Sequence, residues 1–179
     1  MKNLLLAASA ILLTGPAMAE GGTFVGCDAK NPNYIAYMGM TNEMFIPRNS
    51  AVAPKFYAPE FISHNQDRGG GTKTPMKVER MATMYDESFK TFGERKYENE
   101  LVICQGDYLI ARVVLTSKMT GAMGAQAATG KTARISATDI YKFKDGKVVE
   151  RWGNADNVGQ LWQLGLQLPP APGASPEKK

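Results

Sequence analysis

The chain has 179 residues, enough for one domain of ordinary size and not comfortably two. Hydrophobic residues at 44% and charged residues at 21% give the balance of a soluble globular protein. The net charge of +4 is mild and its basic residues are scattered, without an Arg/Lys cluster interleaved with aromatics, so nucleic acid is not an expected partner.

Residues 1–19 read as a signal peptide. Lys2 supplies the positive start, 4–13 the apolar core, and Ala17-Met18-Ala19 the small-x-small cleavage site. The alternative, a buried N-terminal helix, fits this pattern less well, and the apolar run is too short to span a membrane. Cleavage after Ala19 would give a periplasmic or secreted protein without a membrane partner. Losing Lys2 leaves 20 basic against 17 acidic residues, a charge of +3. Cys27 and Cys104 both survive cleavage into an oxidising compartment, which predicts a disulfide pinning the N-terminal arm, 20–32, onto a strand.

From Asn33 the positions Tyr34, Tyr37, Met38, Thr41, Met44 and Phe45 keep a helical period that Pro47 ends. A second short helix is expected over 50–57, limited by Pro54. The stretch 66–73, QDRGGGTK, is a loop by composition, and Thr74 with Pro75 signals the start of a third helix. Val78, Met81, Tyr85, Phe89 and Phe92 share one face of it. Strands follow at 96–104 and 108–118, then a small-residue loop at 119–128. In the next strand Ile135, Ala137, Asp139, Tyr141 and Phe143 fall on one face, Asp145-Gly146 turns, and a return strand runs from Lys147 to about Asn154. Val158, Leu161, Trp162 and Leu164 recur at helical spacing before Gly165. The folded domain is thus 33–167, and the tail 168–179 is Pro-rich with too few apolar residues to fold. Helices followed by antiparallel strands read as α+β.

Several chemistries lack their residues. A single histidine without CxxC or HExxH leaves no zinc set, and no G-x-S-x-G offers a nucleophile turn. Gly130-Lys131-Thr132 lacks the earlier glycine of a phosphate loop and precedes a strand, so it reads as a hairpin turn. No metal and no cofactor are therefore expected. Asp156 stands where the return strand ends, beside Trp152 and under an apolar helix, a position for a pocket carboxylate with a raised pKa. It could equally cap that helix, and both roles can hold. Tyr37 and Phe61 could line such a pocket or belong to the core.

The run T-D-I-Y-K-F-K-D-G-K-V-V-E-R-W followed by A-D-N-V-G-Q-L-W-Q-L-G, with F-Y-A-P-E-F-I-S-H-N at 56–65, resembles SnoaL-like polyketide cyclase domains of the nuclear-transport-factor-2-like superfamily. That resemblance implies a cone-shaped, curved antiparallel sheet wrapped around N-terminal helices, and a homodimer through the outer face of the sheet. It implies that Asp156 is the general acid/base, and that His64, with Asn65, sits in the pocket to orient a substrate carbonyl. Met119 stands where the family often has a pocket histidine, and Gly153 where it often has an acid after the Trp; Met119 would make the pocket more apolar. The expected activity is cofactor-independent acid/base proton transfer at carbon (an aldol or retro-aldol lyase or cyclase, or an isomerase) on a small apolar or aromatic substrate. The rival is a non-catalytic ligand-binding or dimeric assembly module on the same fold.

Overall fold

Asn31 starts the helical layer. Its side chain accepts from the amides of Asn33 and Tyr34, and Pro32 takes the first turn, where its missing amide costs nothing. The computed structural model describes residues 22–64 and 74–167; the expected signal peptide, Asn65, the loop at 66–73 and the tail at 168–179 lie outside the described residues. Helix α1, Pro32–Met40, runs on into a π-helical turn, Thr41–Phe45, where the Thr41 hydroxyl donates to the Tyr37 carbonyl at 3.1 Å. This widened turn keeps Met44 and Phe45 buried. A 3₁₀ turn, Ser50–Val52, leads into the four-residue α2, Ala53–Phe56.

Tyr57 then leaves the helix for strand β2, Tyr57–Ser63. The helix expected over 50–57 stops at Phe56, and the residues that lead to His64 form a strand. A second correction follows at Thr74 and Pro75, which do not open the third helix. They belong to β3, Thr74–Lys77, antiparallel to β2 with Ile62 opposite Pro75. β3 is an edge strand, where a residue without an amide is tolerated. Helix α3 begins only at Val78 and runs to Thr91, burying Val78, Met81 and Phe89. Arg48, at φ 60°, donates from its guanidinium to the Phe89 and Gly93 carbonyls and so holds the end of α3.

Three long hairpins complete the sheet: β4 Phe92–Gln105, β5 Tyr108–Met119, β6 Thr132–Lys144 and β7 Lys147–Ala155. β4 starts earlier than the sequence pattern predicts, because β5 is long enough to pair Phe92 with Met119. Asp145 (φ 53°) and Gly146 (φ 73°) take the two left-handed positions of the β6–β7 turn. The N-terminal arm contributes a short strand, β1 Thr23–Val25, parallel to β4, and just beyond it the Cys27–Cys104 disulfide joins arm to sheet with Cα atoms 5.1 Å apart. The curved, unclosed sheet has the order β1-β4-β5-β6-β7-β2-β3. It is not wholly antiparallel: β1–β4 and β2–β7 pair in parallel. The main core lies between the sheet's inner face and the helices, around Tyr37, Met40, Met44, Tyr57, Val102 and Tyr141. The last helix, α4 Asn157–Leu164, packs Leu164 onto a smaller cluster with Phe92, Met119 and Ala133.

Candidate active site

Strand parity in the β6–β7 hairpin decides what faces inward. Directly opposed residues share a face, and the pairs Ala137–Ala155, Asp139–Gly153 and Tyr141–Arg151 all point into the sheet's concave side. Ile140–Trp152 and Lys142–Glu150 alternate with them and point outward. Asp139 and Arg151 therefore meet on the inside. Arg151 donates to Asp139 Oδ1 at 2.5 Å, with the two side chains only 15% and 12% exposed. Burial is the largest single influence and works against the Arg151 charge, but Asp139 together with the Tyr85, Tyr141 and Tyr57 phenols outweighs it, and the guanidinium pKa stands well above its ordinary value.

This pair borders a cavity of ≈ 550 Å³ between α3, the inner sheet face and the start of α4. One wall is apolar, with Phe45, Phe92, Val113, Leu115 and Ile135. Phe45 stacks on Tyr97 (centroids 5.4 Å apart) and tilts against Tyr85 (5.5 Å). Burial pushes the phenols of Tyr85 and Tyr97 above their ordinary value, so both remain neutral hydroxyls. Arg95, from β4, is a second guanidinium in the cavity, and burial followed by Arg48 lowers its pKa against a rise from Tyr85. At the mouth stand Asn154, Asp156 and Val158. The arrangement offers one buried carboxylate, two guanidinium groups and neutral phenols around an aromatic-walled space of small-ligand size.

The residues singled out from sequence scatter around this cavity. Asp156 reaches it, but at the rim. Its side chain is exposed and Oδ1 accepts from the Gly159 amide at 2.8 Å, the helix-cap alternative. The enclosed carboxylate is instead Asp139, opposite Gly153 and so three residues further along the ladder from Asp156. His64 is not brought to Asp156. Its amide donates to the Arg151 carbonyl at 2.8 Å, while Nε2 lies 2.7 Å from Glu150 Oε1 and the ring stacks on Trp152 at 4.4 Å. That cluster occupies the outer face, so Trp152 does not wall the cavity, and Glu150 faces with Trp152. Met119 is fully buried in the small cluster under α4 and does not line the cavity. Tyr37 and Phe61 are core residues; the Tyr37 hydroxyl donates to Asn99 Oδ1 at 2.5 Å and lies 3.3 Å from that of Tyr97. Asn65 lies outside the described residues.

Sequence reasoning missed Asp139, Arg151 and Arg95. A signal for the first was available: Asp139 is the one acid on a strand face otherwise made of Ile135, Ala137, Tyr141 and Phe143. Arg151 could not be found by extending that parity through the turn, because a bulge between Phe143–Val148 and Lys142–Glu150 shifts the register by one residue and turns Arg151 inward. Among the described residues no group of three or more His, Cys, Asp or Glu is placed to hold a metal ion.

The same architecture recurs in known proteins. A candidate polyketide cyclase of Acidithiobacillus ferrooxidans superposes with a TM-score of 0.68 at 16% identity, over 78% of this chain and 98% of that one. A candidate polyketide cyclase of Bacillus cereus gives 0.67 at 21% identity, over 84% and 95%. A SnoaL-like polyketide cyclase of Agrobacterium tumefaciens gives 0.57 at 17%, over 74% and 95%. At these identities the likeness establishes the fold. No curated protein matches the chain. The family model of the SnoaL-like polyketide cyclases matches residues 36–164, which contain every strand from β2 to β7 and the cavity they enclose, and the chain belongs to that family.

Proposed function

We propose that this protein is an enzyme that moves protons at carbon in a small, largely aromatic carbonyl compound, without a cofactor. Aldol cyclisation, its reverse and enol isomerisation need the same parts: a carboxylate to take a proton beside a carbonyl, donors for the enolate oxygen, and a space that limits water. The observation that supports this reading is the inward-facing Asp139–Arg151 pair on the wall of the cavity. In this reading Asp139 accepts the proton from carbon. Arg151 and the neutral Tyr97 hydroxyl steady the oxygen as charge grows on it. Asp139 then returns the proton, either to a different carbon or to the alkoxide left by carbon–carbon bond formation. Asp156, hydrated at the mouth, exchanges protons between the cavity and solvent.

A second reading is favoured by one observation: Asp156 is committed to the cap of α4, as in a ligand-binding module that needs no base. Deuterium incorporation separates the two. An enzyme should accelerate exchange of the acidic C–H of a bicyclic aromatic ketone in heavy water, followed by NMR, and Asp139→Asn should remove most of that acceleration while the fold persists. No acceleration by the wild-type protein, with the ketone still bound, leaves the binding module. Export to the periplasm or beyond suits breakdown of an environmental aromatic compound. The outer sheet face carrying Tyr108, Ile140 and Trp152 is the surface proposed for a homodimer.

A further inference from the structure

The two guanidinium groups of the cavity are not equivalent. Arg151 has a carboxylate at 2.5 Å. Arg95 has none: among the described residues no Asp or Glu oxygen comes within ion-pair distance of it. Its Nη2 donates to Ser88 Oγ at 3.1 Å, and its buried Nε has no hydrogen-bond partner. The rings of Phe89 and Phe92 flank the guanidinium at 5.6 and 5.5 Å, fixing its position without neutralising it. Arg48 does not help, since it is a second cation, spent on the Phe89 and Gly93 carbonyls. A half-buried cation with donors left over and no counter-ion is costly to keep. A planar guanidinium held this way is also the group that pairs best with a carboxylate.

We infer that the ligand of this cavity carries a carboxylate, which docks on Arg95 while its aromatic body lies against Phe45, Tyr85 and Tyr97. The inference rests on the cavity being the functional site. A single negative charge fits better than a phosphate dianion, because only one guanidinium is unneutralised and Asp139 and Asp156 line the same space. The volume of ≈ 550 Å³ suits one or two rings with short substituents. Arg95 then acts as a specificity determinant: it anchors the acid end so that the carbonyl end reaches Asp139 and Arg151.

Isothermal titration with naphthoate and its neutral carboxamide tests this in wild type, Arg95→Met and Arg95→Lys. Wild type should prefer the carboxylate by at least about tenfold, the worth of one charge-assisted hydrogen-bonded pair. Arg95→Met should lose that preference while binding the amide within a few-fold of wild type. Arg95→Lys, which keeps the charge but not the fork, should retain part of it and guards against a folding defect in the Met variant. The unliganded melting temperature of Arg95→Met should stay at or above that of wild type, since an uncompensated cation has been removed; a purely structural Arg95 would lower it. Equal binding of acid and amide to wild type, or a preference that survives in Arg95→Met, overturns the inference and leaves the cavity assignment standing. Failure of naphthoate to bind at all also overturns it, and ketone exchange then decides separately whether the cavity is catalytic.

Discussion

Raising the pH should unfold this protein abruptly. Tyr37, Tyr57, Tyr85, Tyr97 and Tyr141, of the chain's seven tyrosines, have phenols raised above the ordinary 10.0, mainly by burial, with Asp139 adding to the rise in each. A phenol with a raised folded pKa keeps its proton in the native state while the unfolded chain gives it up. Stability is therefore untouched below pH 10 and falls as the pH climbs past it. Each such phenol removes about 1.4 kcal/mol per pH unit. Acting together the tyrosines remove roughly 7 kcal/mol per unit, so a domain stable by about 5–15 kcal/mol should be exhausted one to two units above that point. Tyrosinate absorbance and far-UV circular dichroism, followed together against pH, should show most of the ionisation arriving in one step with loss of structure. Tyr141→Phe should flatten the stability slope by about one-fifth. A smooth ionisation with the circular dichroism unchanged would refute the account of a tyrosine-lined, water-poor interior.

Removing the disulfide with Cys27→Ser and Cys104→Ser frees a loop with a sequence separation of 77. Chain entropy alone predicts a loss of about 4.5 kcal/mol, readable as a lower urea midpoint. Gly159→Ala should weaken the start of α4, because the added Cβ would lie 2.1 Å from Asp156 Oδ2 and displace the capping carboxylate. Losing that cap costs about 0.5–2 kcal/mol, yet the same alanine placed in Asp156→Ala should stabilise by up to about 1 kcal/mol through helix propensity; thermal melts of the three variants check the reversal.

The β6–β7 turn and the inner face of β6 were legible, because Asp-Gly closes a two-residue turn and alternation fixes a face, but the facing of β7 was not, since a bulge between Phe143–Val148 and Lys142–Glu150 shifts its register. Helix α1 was legible from its period, although Pro32, counted with the arm, is its first residue, and the end of α4 was legible at Gly165 (φ 72°). What could not be read were choices made by tertiary pairing. Pro75 looks like a helix start locally, but the edge beside β2 was free to take it as a strand. Residues 57–63 hold enough aromatics for either a helix end or a strand, and the parallel place beside β7 decided for the strand. The site was harder still. Arg95 lay just before the residues counted as strand, so its facing could not be assigned. Asp156 drew attention as an acid at a strand end, whereas the less conspicuous Asp139 in mid-strand is the one enclosed.

Two carboxylates in this one hairpin each hold a basic partner, and this allows a sharp internal control. Asp139 pairs with Arg151 on the concave side; Glu150 pairs with His64, and its other oxygen lies 3.9 Å from Lys142, on the convex side. They sit on facing strands of similar burial, so substituting either disturbs the same ladder. Only their facing differs, by the alternation that sends Arg151 in and its neighbours Glu150 and Trp152 out. Glu150→Gln acts on a pair almost as enclosed, 16% and 18% exposed, and should cost about 1–2 kcal/mol, since the amide still accepts from the imidazole. Asp139→Asn replaces the charged acceptor of Arg151 by a neutral amide and should cost about 1–3 kcal/mol. If the chemistry belongs to the cavity, ketone exchange should be unaffected by Glu150→Gln in protein that remains folded, and lost with Asp139→Asn. The opposite pattern would move the active centre to His64 and the outer face, and with it the whole assignment of inside and outside made from strand parity.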